Sequence, residues 1–154
     1  MIEVNSEHEM QRLGERLGRL CSGGEVIELV GDVGAGKTTL VRGLAVGLGI
    51  EETVQSPSFT ISRLYDAENG KRLAHYDFYR LNDAGIMAQE LAEMIGTHGT
   101  ITVIEWAGAV ENVLPADKLT ITITAPSPTQ RQLIIEDDGT ISKQIAEVLH
   151  DTTT

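Results

Sequence analysis

Residues 31–38 read GDVGAGKT and fit the pattern G-x-x-x-x-G-K-[ST], with Thr39 directly after. Each residue type in this run has a chemical use. Gly31, Gly34 and Gly36 permit a backbone path that side chains would block. The amide N–H groups of such a path point inward and form a nest for anionic oxygens. Lys37 reaches the β- and γ-phosphates of a nucleotide, the Thr38 hydroxyl ligates Mg²⁺, and the Thr39 hydroxyl donates to the α-phosphate. The chemistry implied is the holding of a nucleoside triphosphate.

A nucleotide-bound Mg²⁺ also needs an acid at the end of a neighbouring strand. Two acids qualify. Asp77 closes the run RLAHYD, and Glu105 closes TITVIE. Carboxyl ends of strands are where open α/β sheets place their ligands. His75 alternates with Asp77 and Tyr79 along one strand face and by itself reads as a structural histidine sooner than as a catalytic base; Asp77 and His75 are the candidates to orient an attacking water. Ser56, Ser58 and Thr60, in VQSPSFTIS, offer hydroxyls where nucleotide-dependent switches carry their mobile loop. Trp106 follows Glu105 and reads as core packing or as a partner or nucleotide contact. Arg131, in the last hairpin, reads first as a surface turn arginine and second as a candidate for stacking on the base. The base itself is argued by absence. Guanine-specific switches use N-K-x-D, and none of Asn5, Asn69, Asn82 or Asn112 is followed by lysine, which leaves ATP as the expected nucleotide.

These residues need a scaffold, and the pattern around them supplies one. Ser6 to Glu9 is a capping-box sequence, and Met10, Leu13, Leu17 and Leu20 follow at helical spacing, so a helix is expected over 7–20. EVIELV (25–30) reads as a buried strand and leads into the glycine loop. Leu40, Val41, Leu44 and Leu48 mark the helix behind it, ending at Gly49. Strand, glycine loop, helix is the context that phosphate binding requires. Residues 59–65 and 71–79 are rich in β-formers and flank the turn signal Asn69-Gly70, which predicts a hairpin. A helix over 83–95, a buried strand over 100–105, a second hairpin from 118–125 and 130–136, and a short helix over 140–149 complete the series. The expected fold is α/β, a mixed sheet of the P-loop NTPase type with helices on both faces and two antiparallel hairpins, in a single domain spanning 1–154.

Composition bounds the rest. A chain of 154 residues with 41% hydrophobic content suits one core. The formal net charge is −11 with no Lys/Arg cluster, so direct binding of nucleic acid is disfavoured, because that needs a basic stripe. The N-terminal MIEVNSEHEM lacks the apolar run of a secretory leader. A lone cysteine, Cys21, fits a reducing cytoplasm and reads as a helix-end packing residue.

GDVGAGKTT, SPSFT, HYDFYRL and IEWAG occur in this order and at a spacing that resembles the TsaE family (formerly YjeE), small bacterial ATPases of tRNA threonylcarbamoyladenosine biosynthesis. The resemblance covers nearly the whole chain, and the later segments are its more specific part. The family pattern has Pro after E-W where this chain has Ala107, which leaves the local turn open. The resemblance implies ATP and Mg²⁺ with weak intrinsic hydrolysis. It also implies a complex with TsaB and TsaD, which carry the tRNA. Residue by residue, Gly34, Ala35, Gly36, Lys37, Thr38 and Thr39 match the phosphate loop, Thr38 and Glu105 the metal site, and Asp77 an acidic position. Lys37, Asp77 and Glu105 are thus the expected catalytic set. Two readings from other classes stand beside it: a nucleotide-gated binding module without significant turnover, and a small-molecule P-loop kinase. The isolated arginines Arg63, Arg72, Arg80 and Arg131 do not form the lid that a kinase uses.

Overall fold

The computed structural model of the chain describes residues 1–55, 62–79, 85–137 and 139–151. Ser56, Ser58, Thr60 and Arg80 therefore lie outside the described residues. The elements in chain order are β1 (Ile2–Val4), α1 (Glu7–Leu20), β2 (Val26–Val30), α2 (Lys37–Leu48), β3 (Ser62–Asp66), β4 (Arg72–Asp77), α3 (Ile86–Ile95), β5 (Thr100–Glu105), a 3₁₀ segment (Ala107–Val113), β6 (Leu119–Thr124), β7 (Arg131–Asp137) and α4 (Thr140–Asp151).

The strands form one sheet in the order β1-β7-β6-β2-β5-β4-β3. Its middle is parallel: β2 lies between β5 and β6, and β4 runs parallel to β5. Both expected hairpins are present as antiparallel pairs, β3 with β4 and β6 with β7. The sequence did not announce β1. Its three residues add antiparallel to β7, Ile2 opposite Leu133 and Val4 opposite Arg131, a pairing too short and too distant in sequence to leave a pattern. The 3₁₀ segment after Trp106 was equally unannounced.

Alternation along the central strands divides the core in two. Ile27, Leu29, Leu73, Ile101 and Val103 face α1 and α2 with Leu13, Leu17, Leu40, Leu44 and Leu48, and α4 adds Ile145 and Leu149. Val26, Ala74, Tyr76 and Ile104 face the other way, onto Leu91 of α3 and Val110 of the 3₁₀ segment. Helices thus cover both faces. Cys21, as read, is a buried residue that closes α1.

Local chemistry explains the helix ends. The Ser6 hydroxyl accepts from the Glu9 N–H at 3.1 Å, while the Glu9 carboxylate accepts from the Asn5 N–H at 2.7 Å. This is a capping box whose return bond falls one residue early. At the far end of α2, Gly49 adopts φ 88° and donates to Ala45 and Val46, which closes the helix. α1 and α2 touch backbone to backbone. A Cβ on Gly14 or Gly18 would fall on the carbonyl oxygens of Leu40 and Leu44, and one on Gly43 would fall on that of Gln11. This contact seats α2, and with it the phosphate loop, on α1.

Candidate functional site

β2 delivers the chain to the glycine loop at the carboxyl edge of the sheet. Gly34 and Gly36 take φ 85° and 107°, the left-handed region that L side chains rarely adopt. A Cβ at Gly34 would meet nothing within 4 Å, so conformation rather than space demands glycine there. α2 begins at Lys37 with no side-chain cap. The amides of its first turn have no intrahelical acceptor, and with the helix dipole they form a ready anion site. Thr38 and Thr39 sit on this turn, both half-buried.

Lys37 is only 6% exposed. Its ammonium donates to the Gly31 carbonyl at 2.7 Å, lies 3.6 Å from Glu105 Oε1, and rests 4.3 Å from the centre of the Trp106 ring. An unpaired buried ammonium is costly, and these three contacts offset that cost. Glu105, the last residue of β5, is 4% exposed. Its other oxygen, Oε2, lies 2.5 Å from Nε2 of His75. Trp106 follows in a left-handed conformation, φ 57° and ψ 54°, unusual for a bulky residue. This turn carries the indole over Lys37, and Tyr79 packs against it with ring centres 4.9 Å apart.

The structure therefore brings Lys37, Glu105 and the threonines of the α2 turn to one corner. Asp77 stands beside them in register, as the Cα partner of Glu105. Its Oδ1 accepts from the Tyr79 N–H at 3.0 Å, an Asx turn that stops β4. Among the described residues its carboxylate bonds to neither Lys37 nor Glu105. Arg131 reaches the loop from β7. Its Nε donates to the Ala35 carbonyl at 3.0 Å, and its Nη1 to the carbonyls of Ser127 and Gln130 at 2.9 Å. His75 is fully buried and spends Nε2 on Glu105, so it is not exposed to act on water.

Three features of the site escaped the sequence reading: the His75–Glu105 contact, the Lys37–Trp106 stacking, and the tie from Arg131 to Ala35. The first leaves a faint signal, because His75 and Glu105 share strand parity, but only the register of β4 against β5 makes it legible.

The donor set fits a nucleotide with its cation. Among the described residues no three His, Cys, Asp or Glu side chains converge on a metal position, so a cage built from protein alone is absent there. One carboxylate and one hydroxyl beside an anion-binding loop suit Mg²⁺, which keeps waters and takes substrate phosphate oxygens.

Comparison with known proteins places this geometry. The model of the family described as threonylcarbamoyl adenosine biosynthesis protein TsaE matches residues 4–133. The chain is 34% identical over 147 residues to the tRNA threonylcarbamoyladenosine biosynthesis protein TsaE of Bacillus subtilis (strain 168), covering 95% of this chain and 90% of that one. It is 37% identical over 115 residues to the protein of the same name from Streptomyces coelicolor, covering 74% and 78%. Among solved structures, the crystal structure of Bacillus subtilis YdiB superposes with a TM-score of 0.80 at 28% identity, covering 100% of this chain and 99% of that one. With the phosphate-loop corner and the mixed sheet in place, these matches identify the chain as a member of the TsaE family.

Proposed function

We propose that this chain is an ATP-binding, Mg²⁺-dependent ATPase of low intrinsic turnover. It acts in the cytoplasm as an accessory subunit with TsaB and TsaD in forming threonylcarbamoyladenosine on tRNA. The observation that carries the reading is the buried pair of Lys37 and Glu105 at the start of α2, 3.6 Å apart. A buried ion pair is a poor source of stability compared with apolar packing, so its presence at the mouth of a phosphate loop points to use.

The roles follow from position. Gly34, Ala35, Gly36 and the amides of the α2 turn cradle the phosphates, with Lys37 against the outer ones. Thr38 and Glu105 hold Mg²⁺, which supplies charge neutralisation on the phosphates when bound. Asp77, at the strand end beside Glu105, orients the water. Arg131, pinned at the loop, lies beside the base. Among the described arginines, Arg42 donates from Nε to the Val54 carbonyl, and Arg131 donates from Nε and Nη1 to the carbonyls of Ala35, Ser127 and Gln130. A transition-state cation supplied in trans is worth about 10³–10⁵-fold, and a partner is its source in this reading. The net charge of −11 supports leaving the tRNA to the partners.

The test is steady-state phosphate release from the chain alone, then with TsaB and TsaD added, with tRNA modification followed in parallel. Slow release that rises with both partners is the expected result. Turnover at tens per second from the chain alone, insensitive to both, overturns the accessory role. ATP-dependent association with no release at all would leave a gated binding module.

A further inference from the structure

Glu105 is a glutamate at a strand end, with three side-chain torsions to fix. A strand-end carboxylate facing a solvated cleft would be free to rotate, yet this one is buried and both its oxygens are engaged. Oε1 faces the Lys37 ammonium at 3.6 Å and Oε2 faces His75 Nε2 at 2.5 Å. An ionised carboxylate only accepts, so Nε2 carries the proton in that contact, an assignment that follows from the bonding pattern. His75 Nδ1 makes no hydrogen bond with any described residue. The ring is wholly buried, and a buried polar atom without a partner is unfavourable. A purely structural position would be filled better by an apolar side chain. The imidazole is tolerated for what its other nitrogen does.

The register shows how it works. His75 lies opposite Val103 and Asp77 opposite Glu105 in the parallel β4–β5 pair. Glu105 therefore leans back two residues along the neighbouring strand to meet His75, away from the Asp77 beside it. We propose that His75 is a positioning residue of the nucleotide site: its Nε2–H fixes the plane of the Glu105 carboxylate so that Oε1 is presented to Lys37 and to the cation. This inference rests on the reading of Glu105 as the acidic arm of the Mg²⁺ site. It assigns His75 no contact with substrate and no role in moving a proton.

Two amide variants separate positioning from packing. His75→Gln keeps a donor near the place of Nε2, whereas His75→Asn is one bond too short to reach Glu105. ATP affinity is measured by calorimetry with EDTA and with graded Mg²⁺, alongside Glu105→Gln and thermal melts of each variant. His75→Asn should raise the Mg²⁺ concentration needed for tight ATP binding about tenfold or more, as loss of an outer partner of a metal ligand does. It should leave affinity in EDTA unchanged and lower kcat more than it changes KM for ATP. His75→Gln should recover most of the Mg²⁺ response. Equal effects of both variants, or equal losses with and without Mg²⁺, would reduce His75 to packing and overturn the proposal. Should His75→Asn fail to fold, His75→Leu, which also lacks the donor, takes its place: loss in His75→Leu with recovery in His75→Gln supports positioning, and equal responses overturn it. If Glu105→Gln leaves the Mg²⁺ response untouched, the reading of Glu105 itself falls, and this proposal with it. If Glu105→Gln abolishes the response and His75→Asn does not, only the role of His75 falls.

Discussion

Asp77 and Glu105 are partners across the parallel β4–β5 pair, yet their carboxylates serve different ends. Glu105 turns inward to Lys37 and His75. Asp77 turns along its own chain to the Tyr79 amide. Two acids that look equivalent from their strand-end positions are thus separated by what their side chains touch, and substitution should separate them too.

Glu105→Gln keeps the size of the side chain and removes its charge. It should leave the fold intact and lower Mg²⁺-dependent phosphate release by more than the roughly tenfold that loss of an outer partner costs. Asp77→Asn retains an oxygen for the Tyr79 amide, so its melting temperature should stay close to that of the parent chain. Any loss of turnover it causes reports on charge beside the reacting phosphate. Phosphate release and circular dichroism on both variants make the comparison. Wild-type hydrolysis and Mg²⁺ affinity in Glu105→Gln would make Glu105 a structural strand-end acid.

Lys37→Ala should abolish ATP binding or weaken it by roughly 10–150-fold. A charge-assisted contact to phosphate contributes on the order of 1.5–3 kcal/mol, and backbone amides alone do not replace it. Calorimetry measures this directly. The variant also leaves Glu105 buried beside a lost cation, so its melting temperature should fall. Unchanged affinity would sink the phosphate-loop assignment.

Gly43→Ala tests the contact between α1 and α2. Alanine favours a helix by about 1 kcal/mol over glycine, but here its methyl group falls on the backbone carbonyl of Gln11, which cannot rotate away. Overpacking of this kind costs about 1–3 kcal/mol. The clash should prevail and lower the melting temperature by several degrees. Gly108→Ala is the control, since a Cβ there meets nothing within 4 Å; its effect should stay within about 0.5 kcal/mol. Equal melts for the two variants would contradict the close approach.

Tyr76→Phe should be neutral or stabilising at neutral pH. The buried Tyr76 hydroxyl makes no hydrogen bond with any described residue, and removing an unpartnered buried polar group relieves on the order of 1 kcal/mol or more. Burial, with the charge of Glu90 adding to it, pushes the Tyr76 phenol up to about 12. The unfolded chain releases that proton near pH 10. The native chain therefore holds the proton longer, and stability present below about pH 10 is lost as pH rises toward 12. The phenylalanine variant lacks this loss, so its advantage in denaturant melts should widen from pH 9 to pH 11. A variant less stable than the parent at pH 7 would show that the hydroxyl has a partner.

What the sequence made legible was local. The Ser6 cap, the glycine loop, the Gly49 stop and the closing acids of β4 and β5 are signals written within a few residues, and each sits where it was expected. The apolar face of α1 was legible too, but the use of Gly14 and Gly18 was not, because a close approach depends on the facing helix as much as on the glycine. β1 escaped for a related reason: three residues gain strand character only from β7, far along the chain. In the site, the loop and Glu105 were readable from motif and strand end. The turning of Glu105 toward His75, and the tie of Arg131 to Ala35, required register and tertiary contact that no window of sequence contains.

The place of β2 in the sheet bears on how the protein comes into being. Its residues, 26–30, leave the ribosome early, but both strands that flank it come late, β5 at 100–105 and β6 at 119–124. No neighbour in sequence pairs with it. A nascent chain carries the whole GDVGAGKT motif long before there is a sheet to hold the loop open, and pairings between such distant segments form slowly. The second strand that flanks β2 is complete only after residue 124 has been made. A product that ends before residue 119 carries the motif without β6, one of the two strands that flank β2.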